Sequence, residues 1–261
     1  MKKVGSLKYG VLFKKAFCDP EIFKAFVKDF LNIDLKTDYI ETEKSFTPSV
    51  GKVDVKFDLF AEDRENRVIV DIQHVRHPDH YHRFLYYHCV ALIETMASNE
   101  DYKPGLEVYT LVVLTSGDRH KKDIGIIDFD PSDLNGNKFG EIPHKIIYIC
   151  PKYVNNNTPE SYREWMLAIN DSLDEEVDES RYNRPEIHKV FGLIEKDMIS
   201  PKEYAAMKDE YNRQLLIEEG IEKVEKAALN LLKLGTMPDE QIAQIMGMTL
   251  EEIQKLKKGI K

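Results

Sequence analysis

The stretch KVDVKFDLFAEDRENRVIVDIQ, residues 52–73, decides the fold of this chain. In its first half apolar and polar side chains alternate, and a period of two is typical of a strand with one wet face. A polar segment at residues 62–66 follows, and residues 67–73 are rich in β-branched side chains. Two such runs joined by a short polar connection predict an antiparallel hairpin. The apolar members of the alternation are Val53, Val55, Phe57 and Leu59.

Polar side chains of the two strands are predicted to converge. Asp71 and Gln73 are two residues apart and point to one face, whereas Val70 and Ile72 point to the other. If that apolar face meets the core, Asp71 and Gln73 project where Asp58 could also project. Two carboxylates on one rigid sheet repel each other unless a cation lies between them, and Mg²⁺ suits such an oxygen site. The alternative is ordinary solvated alternation, in which these residues only face water.

Outside the hairpin the apolar pattern predicts helices and further strands. Helices are expected within residues 7–33 (two helices), 78–99, 159–173 and 184–234, with a break at residues 200–201. Strands are expected at residues 106–114, 124–129 and 145–150, and the acidic run 174–179 is interpreted as a solvated linker. This order predicts an α/β core of about 155 residues with a helical C-terminal extension.

Two short helices are also expected at residues 238–258, and this segment resembles a helix-turn-helix. Gly247 lies at its turn, and Thr249 and Glu252 form a capping box. A recognition helix usually presents basic or amide side chains to DNA at its N-terminus. Glu251 and Glu252 occupy that place and would repel phosphate, so we interpret the segment as a packing or protein-contact module.

Composition narrows the function classes. The chain has 261 residues and a formal net charge of −9. Proteins that coat nucleic acid are usually basic, which disfavours that class but permits an enzyme that touches DNA at one local site. No apolar run approaches the length of about 18 residues that a membrane span needs. The three cysteines are widely spaced and lack CxxC pairing, which indicates a reducing cytoplasmic location.

Several ordered segments resemble those of a known family. They are residues 12–17 (LFKKAF), 56–63 (KFDLFAED), 68–73 (VIVDIQ), 82–87 (HRFLYY), 127–129 (IDF) and 150–153 (CPKY). Together they resemble the PD-(D/E)XK nuclease superfamily, and more specifically the PD-(D/E)XK nuclease family transposases of its recombination-promoting branch. The resemblance implies a restriction-endonuclease-like core, a mixed central sheet flanked by helices, at residues 1–155. It also implies a helical C-terminal region at residues 156–261, ending in the helix-turn-helix-like hairpin 238–258.

The same resemblance implies a Mg²⁺-dependent DNA endonuclease associated with transposition or recombination, with Mn²⁺ as a substitute metal. Asp58, Asp71 and the backbone carbonyl of Ile72 would hold the ion. Gln73 would stand where the superfamily's lysine orients the attacking water, which makes Asp58, Asp71 and Gln73 the expected catalytic residues. DNA would be a transient partner, no membrane would be involved, and a homodimer, common in the superfamily, is a further expectation.

Two departures from the family pattern leave an alternative open. Gln73 carries no positive charge, so the transition state needs support from another cation, for which Lys56 and Arg83 are the candidates. Gly10 stands where an acidic residue is frequent in relatives. Both departures favour a catalytically decayed protein of the same fold that acts as a protein- or DNA-interaction module.

Histidines are concentrated just after the hairpin, where five of the eight lie within residues 74–88. A dedicated transition-metal site is one interpretation. Lining of the cleft beside Asp71 and ordinary positions at the surface and helix edges are the others. The five are His74, His77, His80, His82 and His88.

Overall fold

The computed structural model describes residues 1–47, 53–74, 80–96 and 103–259. The strands of the central sheet are β2 (Ile40–Phe46), β3 (Val55–Glu62), β4 (Asn66–Gln73), β5 (Glu107–Leu114), β6 (Ile124–Asp128) and β7 (Lys145–Ile149). They form one six-stranded sheet in the order β2-β3-β4-β5-β7-β6. Two short strands, β1 (Lys2–Lys3) and β8 (Glu176–Val177), pair with each other.

The α-helices within these residues are α1 (Gly10–Phe17), α2 (Pro20–Leu31), α3 (His80–Ile93), α4 (Glu160–Ser172), α5 (Pro185–Leu193), α6 (Pro201–Leu234), α7 (Asp239–Met246) and α8 (Leu250–Lys258). The chain divides into two compact units, Met1–Met207 and Lys208–Lys261. The predicted boundary between residues 155 and 156, which concerns the extent of the nuclease-like domain, stays a prediction.

The sheet is mixed, because its two halves are connected in different ways. The strands β2, β3 and β4 form an antiparallel meander. The tight turn between β3 and β4 is held by the Asp63 carboxylate, which accepts hydrogen bonds from the backbone N–H groups of Glu65 and Asn66. Strands β4, β5 and β7 are parallel, and helix α3 lies in the crossover that a parallel β4–β5 pair requires. The edge strand β6 is antiparallel to β7. The predicted mixed sheet with flanking helices is therefore confirmed.

One face of the sheet carries the larger core, against which the apolar stripes of the first helices pack. Phe17 is central to it: its ring stacks on Phe13 at 4.3 Å and meets Phe26 edge-on at 5.2 Å. Trp165 of α4 packs edge-on against Phe26 and donates its indole N–H to Asp29 at 2.6 Å. The buried sheet residues of this core are Leu59, Ala61, Val68, Val70, Leu111, Val113, Ile147 and Ile149.

The other face is covered by α3. Val90 of this helix packs with Phe57 and Ile69, and Phe84 packs with Val112 and Tyr148. Successive residues of β4 alternate between the two faces, as a strand requires. Val70 and Ile72 contact the first core, as predicted, and Ile69 contacts the second.

The structure corrects three predictions about elements. Val53 is 58 % exposed and lies before β3, so it is not part of the inward-facing alternation. The acidic run 174–179 is not a solvated linker, because Val177 is buried and its strand pairs with Lys2–Lys3. The helix predicted over residues 78–99 ends at Ile93, while its predicted start and last residues lie outside the described ranges.

The C-terminal unit has its own small core. Ala228 of α6 packs with Ile242 and Ala243 of α7 and with Ile253 of α8. The predicted turn is confirmed: Gly247 ends α7 in the left-handed conformation at φ 64°. The capping box is also present, with the Glu252 carboxylate accepting from the Thr249 N–H at 2.8 Å. In the described part of the chain, no helix is both long enough and apolar enough to cross a bilayer.

Candidate functional site

The carboxyl groups of Asp58 and Asp71 lie side by side where the β3–β4 hairpin opens. The backbone ladder runs from Glu62↔Arg67 to Leu59↔Val70. Beyond this ladder, backbone N–H groups donate to the side-chain carboxyl groups of Asp58 and Asp71 instead of to backbone carbonyls. The Asp58 N–H donates to Asp71 Oδ1 at 2.8 Å, and the Ile72 N–H donates to Asp58 Oδ2 at 3.0 Å. The strands therefore separate at this point, with two acidic side chains between them.

The opening coincides with a change of face in β3. Phe57 belongs to the core under α3, but Leu59, two residues later, belongs to the opposite core. A regular strand would place both on one face, so the backbone turns at Asp58. In the neighbouring strand β2, Thr42 pairs with Leu59 and Lys44 pairs with Phe57. Glu43, which lies between these two pairs, has a φ of 60°. This left-handed backbone, uncommon for a residue other than glycine, brings the Glu43 side chain to the site.

Burial and mutual repulsion raise the pKa of both aspartates. Asp71 is only 4 % exposed. Its pKa is raised well above the usual range, first by burial and then by the charge of Asp58, while the Asp58 N–H and the charges of Arg83 and Lys14 oppose the rise. Burial also raises the pKa of Asp58, and the Glu43 charge adds to it; the Ile72 N–H and Lys14 act against it. The pair thus has a strong electrostatic demand for a cation.

The donor atoms present fit a small divalent ion. Asp71 Oδ2 is buried and accepts no hydrogen bond from the described residues. The N–H of Ile72 points at Asp58, and because the N–H and C=O of one strand residue point to the same side, the Ile72 carbonyl faces the site as well. Among the described residues no group of three or more His, Cys, Asp or Glu side chains could hold a metal. Mg²⁺ needs fewer, since it binds through one or two carboxylates and keeps its waters and substrate phosphates.

Among the described residues, the cation that pairs with Asp58 comes from α1. Lys14 Nζ lies 3.6 Å from Asp58 Oδ1 and 2.5 Å from Glu43 Oε1. Lys56, one of the two cations considered from the sequence, also pairs with Glu43 and is 58 % exposed along its side chain. Between its two lysines Glu43 has its pKa lowered to about 2. Sequence reasoning quoted Lys14 only as part of the N-terminal helix segment, and it missed Glu43 entirely.

Gln73 and Arg83 lie on the α3 side of the sheet. Gln73 shares the parity of Asp71 in β4, and its backbone carbonyl accepts from the Thr115 N–H at 3.1 Å. Arg83 is exposed on α3, and its charge is felt at Asp71. Gly10 is the first residue of α1, whose first turn contains no acidic residue. Glu43 is instead the additional carboxylate whose charge reaches Asp58.

The histidines that the structure describes do not form one group. His88 is a core residue, bonded to Thr110 at 2.9 Å and stacked on Phe129. His74, directly after β4, lies 2.9 Å from Thr115 Oγ1. His80 is buried beside Asp118 at 3.8 Å, His82 is exposed, and His77 lies outside the described residues. The transition-metal interpretation gains no support from this dispersed arrangement.

Comparison with known proteins agrees with the geometry. A family model described as PD-(D/E)XK nuclease family transposase matches residues 9–222, which include the hairpin, α3 and the helices of the larger core. No curated protein and no solved structure matches the chain. The mixed sheet flanked by helices is that of a restriction-endonuclease-like fold. From the extent of this match, the chain belongs to the PD-(D/E)XK nuclease family transposases.

Proposed function

We propose that this protein is a Mg²⁺-dependent DNA endonuclease that hydrolyses phosphodiester bonds. The observation that carries the proposal is the pair of adjacent, partly desolvated carboxyl groups in a gap between strands, one with a buried oxygen that accepts no hydrogen bond from the described residues. Such a pair is costly to keep ionised without a cation. Family membership makes DNA the expected substrate.

The residues around the pair have distinct proposed roles. Asp58, Asp71 and the Ile72 carbonyl hold the ion. When bound, a divalent ion supplies a water of lowered pKa and neutralises charge on the phosphate. Gln73, next on the same face of β4, orients the attacking water through its amide. Hydrogen bonds between the two aspartates and the backbone N–H groups of Ile72 and Asp58 keep both carboxyls in fixed orientations.

Lys14 supplies the positive charge that Gln73 lacks. Its ammonium group is held near Asp58 by Glu43, which in turn is bound by Lys56. A preorganised cation stabilises the charge that develops on the phosphate in the transition state without reorganisation. Lys56 acts indirectly in this arrangement, by fixing Glu43.

Plasmid nicking in the presence of Mg²⁺ tests the proposal. Asp58→Asn and Asp71→Asn keep the size of each side chain and the oxygen that accepts the backbone N–H, but they remove the charge that attracts the ion. We expect nicking to fall at least about 100-fold in each variant, because the activated water is lost with the metal. Asp54→Asn, an exposed residue just before β3, is the control and should nick like the wild type. Equal rates in all three variants would contradict the assignment.

A catalytically decayed interaction module is the second candidate, which the amide of Gln73 favours. Metal titration separates the two candidates. An ion that binds only the folded state raises the melting temperature. For the nuclease we expect Mg²⁺ or Mn²⁺ to raise the melting temperature of the wild type but not of Asp58→Asn, whereas a protein without the site would show no rise in either.

A further inference from the structure

A basic segment follows β5, at the end of the sheet where the parallel strands terminate. Residues 119–122 read Arg-His-Lys-Lys, and all four are exposed. Arg119 contacts the neighbouring His120 at 3.3 Å. Within the described residues, no carboxylate forms a salt bridge with Arg119, Lys121 or Lys122. In a chain with a net charge of −9, these cations stand available to an anionic ligand.

This segment begins beside the candidate site. Strands β4 and β5 are parallel, so their C-terminal ends lie next to each other at one end of the sheet. Thr115, the first residue after β5, donates its N–H to the backbone carbonyl of Gln73 at 3.1 Å. From Thr115 the chain can reach at most about 14 Å to Arg119. This upper limit corresponds to about four base-pair steps of duplex DNA at about 3.4 Å per step.

The base of the segment is held by a buried carboxylate. Asp118 is 2 % exposed, and its Oδ2 accepts from the Tyr81 hydroxyl of α3 at 2.5 Å. Its Oδ1 accepts from the His120 N–H at 2.8 Å. Its backbone carbonyl accepts from the Tyr153 hydroxyl at 3.3 Å. The segment is thus tied to α3 on one side and to the turn after β7 on the other.

The backbone here is in an unusual conformation that its surroundings maintain. Lys121 has a φ of 54°, which costs energy in a residue with a Cβ and persists only where the neighbouring structure determines it. Gly117 has a φ of 74°, and a Cβ on it would overlap the Tyr153 ring. A segment that is already ordered binds its ligand without paying for loop ordering.

We propose that residues 119–122 bind the phosphate backbone of duplex DNA beside the cleavage site. The inference rests on the proposed function, because the duplex that these residues contact is the one whose scissile phosphate lies at Asp58 and Asp71. Because the net charge of the chain is −9, DNA binding depends on local clusters of cations such as this one.

The salt dependence of DNA binding tests this surface. The test variant carries Arg119→Gln, Lys121→Gln and Lys122→Gln together. The matched control carries Lys36→Gln, Arg64→Gln and Lys202→Gln, which remove the same charge from exposed positions outside residues 115–122. Binding of a fluorescent DNA duplex is measured by anisotropy in Ca²⁺ over a range of salt concentrations. Each phosphate contact contributes about 0.9 to the slope of log K against log salt, so the test variant should lose about 2 to 3 from its slope.

The control variant should keep the wild-type slope, and the charge-conserving variant Arg119→Lys should keep most of it. An unchanged slope in the test variant, or equal losses in test and control, overturns the inference. If the test variant loses affinity for an RNA duplex but keeps its affinity for the DNA duplex, the choice of DNA is overturned. These outcomes are independent of the chemistry, because nicking that still depends on Asp58 and Asp71 would leave the proposed function intact while the binding surface failed.

Discussion

At the scale of single residues, the site is a balance of charges around Asp58. The Asp58 carboxylate faces the carboxyl of Asp71, and it feels the charges of Lys14 and Glu43. Asp71 is the more buried of the two and carries the more strongly raised pKa. Lys14 therefore compensates part of the repulsion between the aspartates, together with the charge of Arg83 at Asp71 and the backbone N–H groups of Asp58 and Ile72.

Replacing Lys14 tests its proposed part in the reaction. Lys14→Gln should lower the turnover of plasmid nicking by about 100-fold, the lower end of the loss that follows removal of one preorganised donor. The Mg²⁺ concentration for half-maximal rate should not rise, because a cation that competes with the metal has been removed. A purely structural role would instead weaken metal binding together with turnover.

The neighbouring lysine provides the control for this substitution. Lys15 points away from the site, where it pairs with Glu203 and donates to the Met198 carbonyl. Lys15→Gln should therefore leave turnover unchanged, and Lys14→Arg should retain much of the wild-type rate. A Lys14→Gln protein with the turnover of Lys15→Gln would show that Lys14 has no part in catalysis.

At the scale of elements, helix α1 positions Lys14 beside β3. The first turn of α1 packs closely against the chain segment that precedes the helix. Leu12 of α1 is fully buried in the core. Gly5, whose N–H donates to the Ile194 carbonyl at 2.7 Å, lies directly against it. A Cβ on Gly5 would overlap Leu12 Cδ1 and come within 2.6 Å of Ile199 Cδ1.

The substitution Gly5→Ala tests this packing. Because both neighbouring methyl groups are held in the core, we expect the free energy of unfolding to fall by about 1–3 kcal/mol, as for other overpacked cores. Gly192→Ala is the matched control, since a Cβ in that helix has no heavy atom within 4 Å. It should leave stability unchanged or raise it by up to about 1 kcal/mol. Urea titration measures both, and equal stabilities would refute the predicted clash.

At the scale of the whole molecule, buried histidines couple the fold to pH. Burial and the nearby His144 lower the pKa of His88 to about 3 from its ordinary value of 6.5. The unfolded chain therefore binds a proton at this residue between pH 6.5 and about 3, and the folded chain does not. The stabilising contribution of neutral His88 is fully present above pH 6.5. As the pH falls below 6.5, the free energy of unfolding declines by up to about 1.4 kcal/mol per pH unit for one such group. The pKa of His144 is lowered as well, which acts in the same direction.

His88→Gln should flatten this decline. The amide can still bond Thr110 but does not take up a proton, so the slope of the unfolding free energy against pH should fall between pH 6.5 and the carboxylate range that begins near 4.5. The raised pKa of Asp71 acts in the opposite direction, but it is common to both proteins and cancels in their difference. His120→Gln, at an exposed position, is the control. Identical slopes in wild type and His88→Gln would contradict the prediction.

Local sequence patterns determined a large part of this protein. Alternation and a short polar turn were enough to predict the hairpin, and adjacent antiparallel strands then bring Asp58 and Asp71 together. The helix boundaries at Pro20 and Pro201 and the capped turn at Gly247 follow from signals within a few residues of each boundary. These features are local because propensity, capping and periodicity act over one or two turns of chain.

Tertiary structure alone decided which distant groups surround that pair. The approach of Lys14 and Glu43 depends on how α1 packs on the sheet and on the turn of β3 at Asp58, where strict alternation would have kept Phe57 and Leu59 on one face. The pairing of β8 with the N-terminal strand likewise converts an acidic stretch that looks solvated into part of the fold. Such contacts join residues far apart in the chain, and they are selected by the shape of the packed core, which no local pattern encodes.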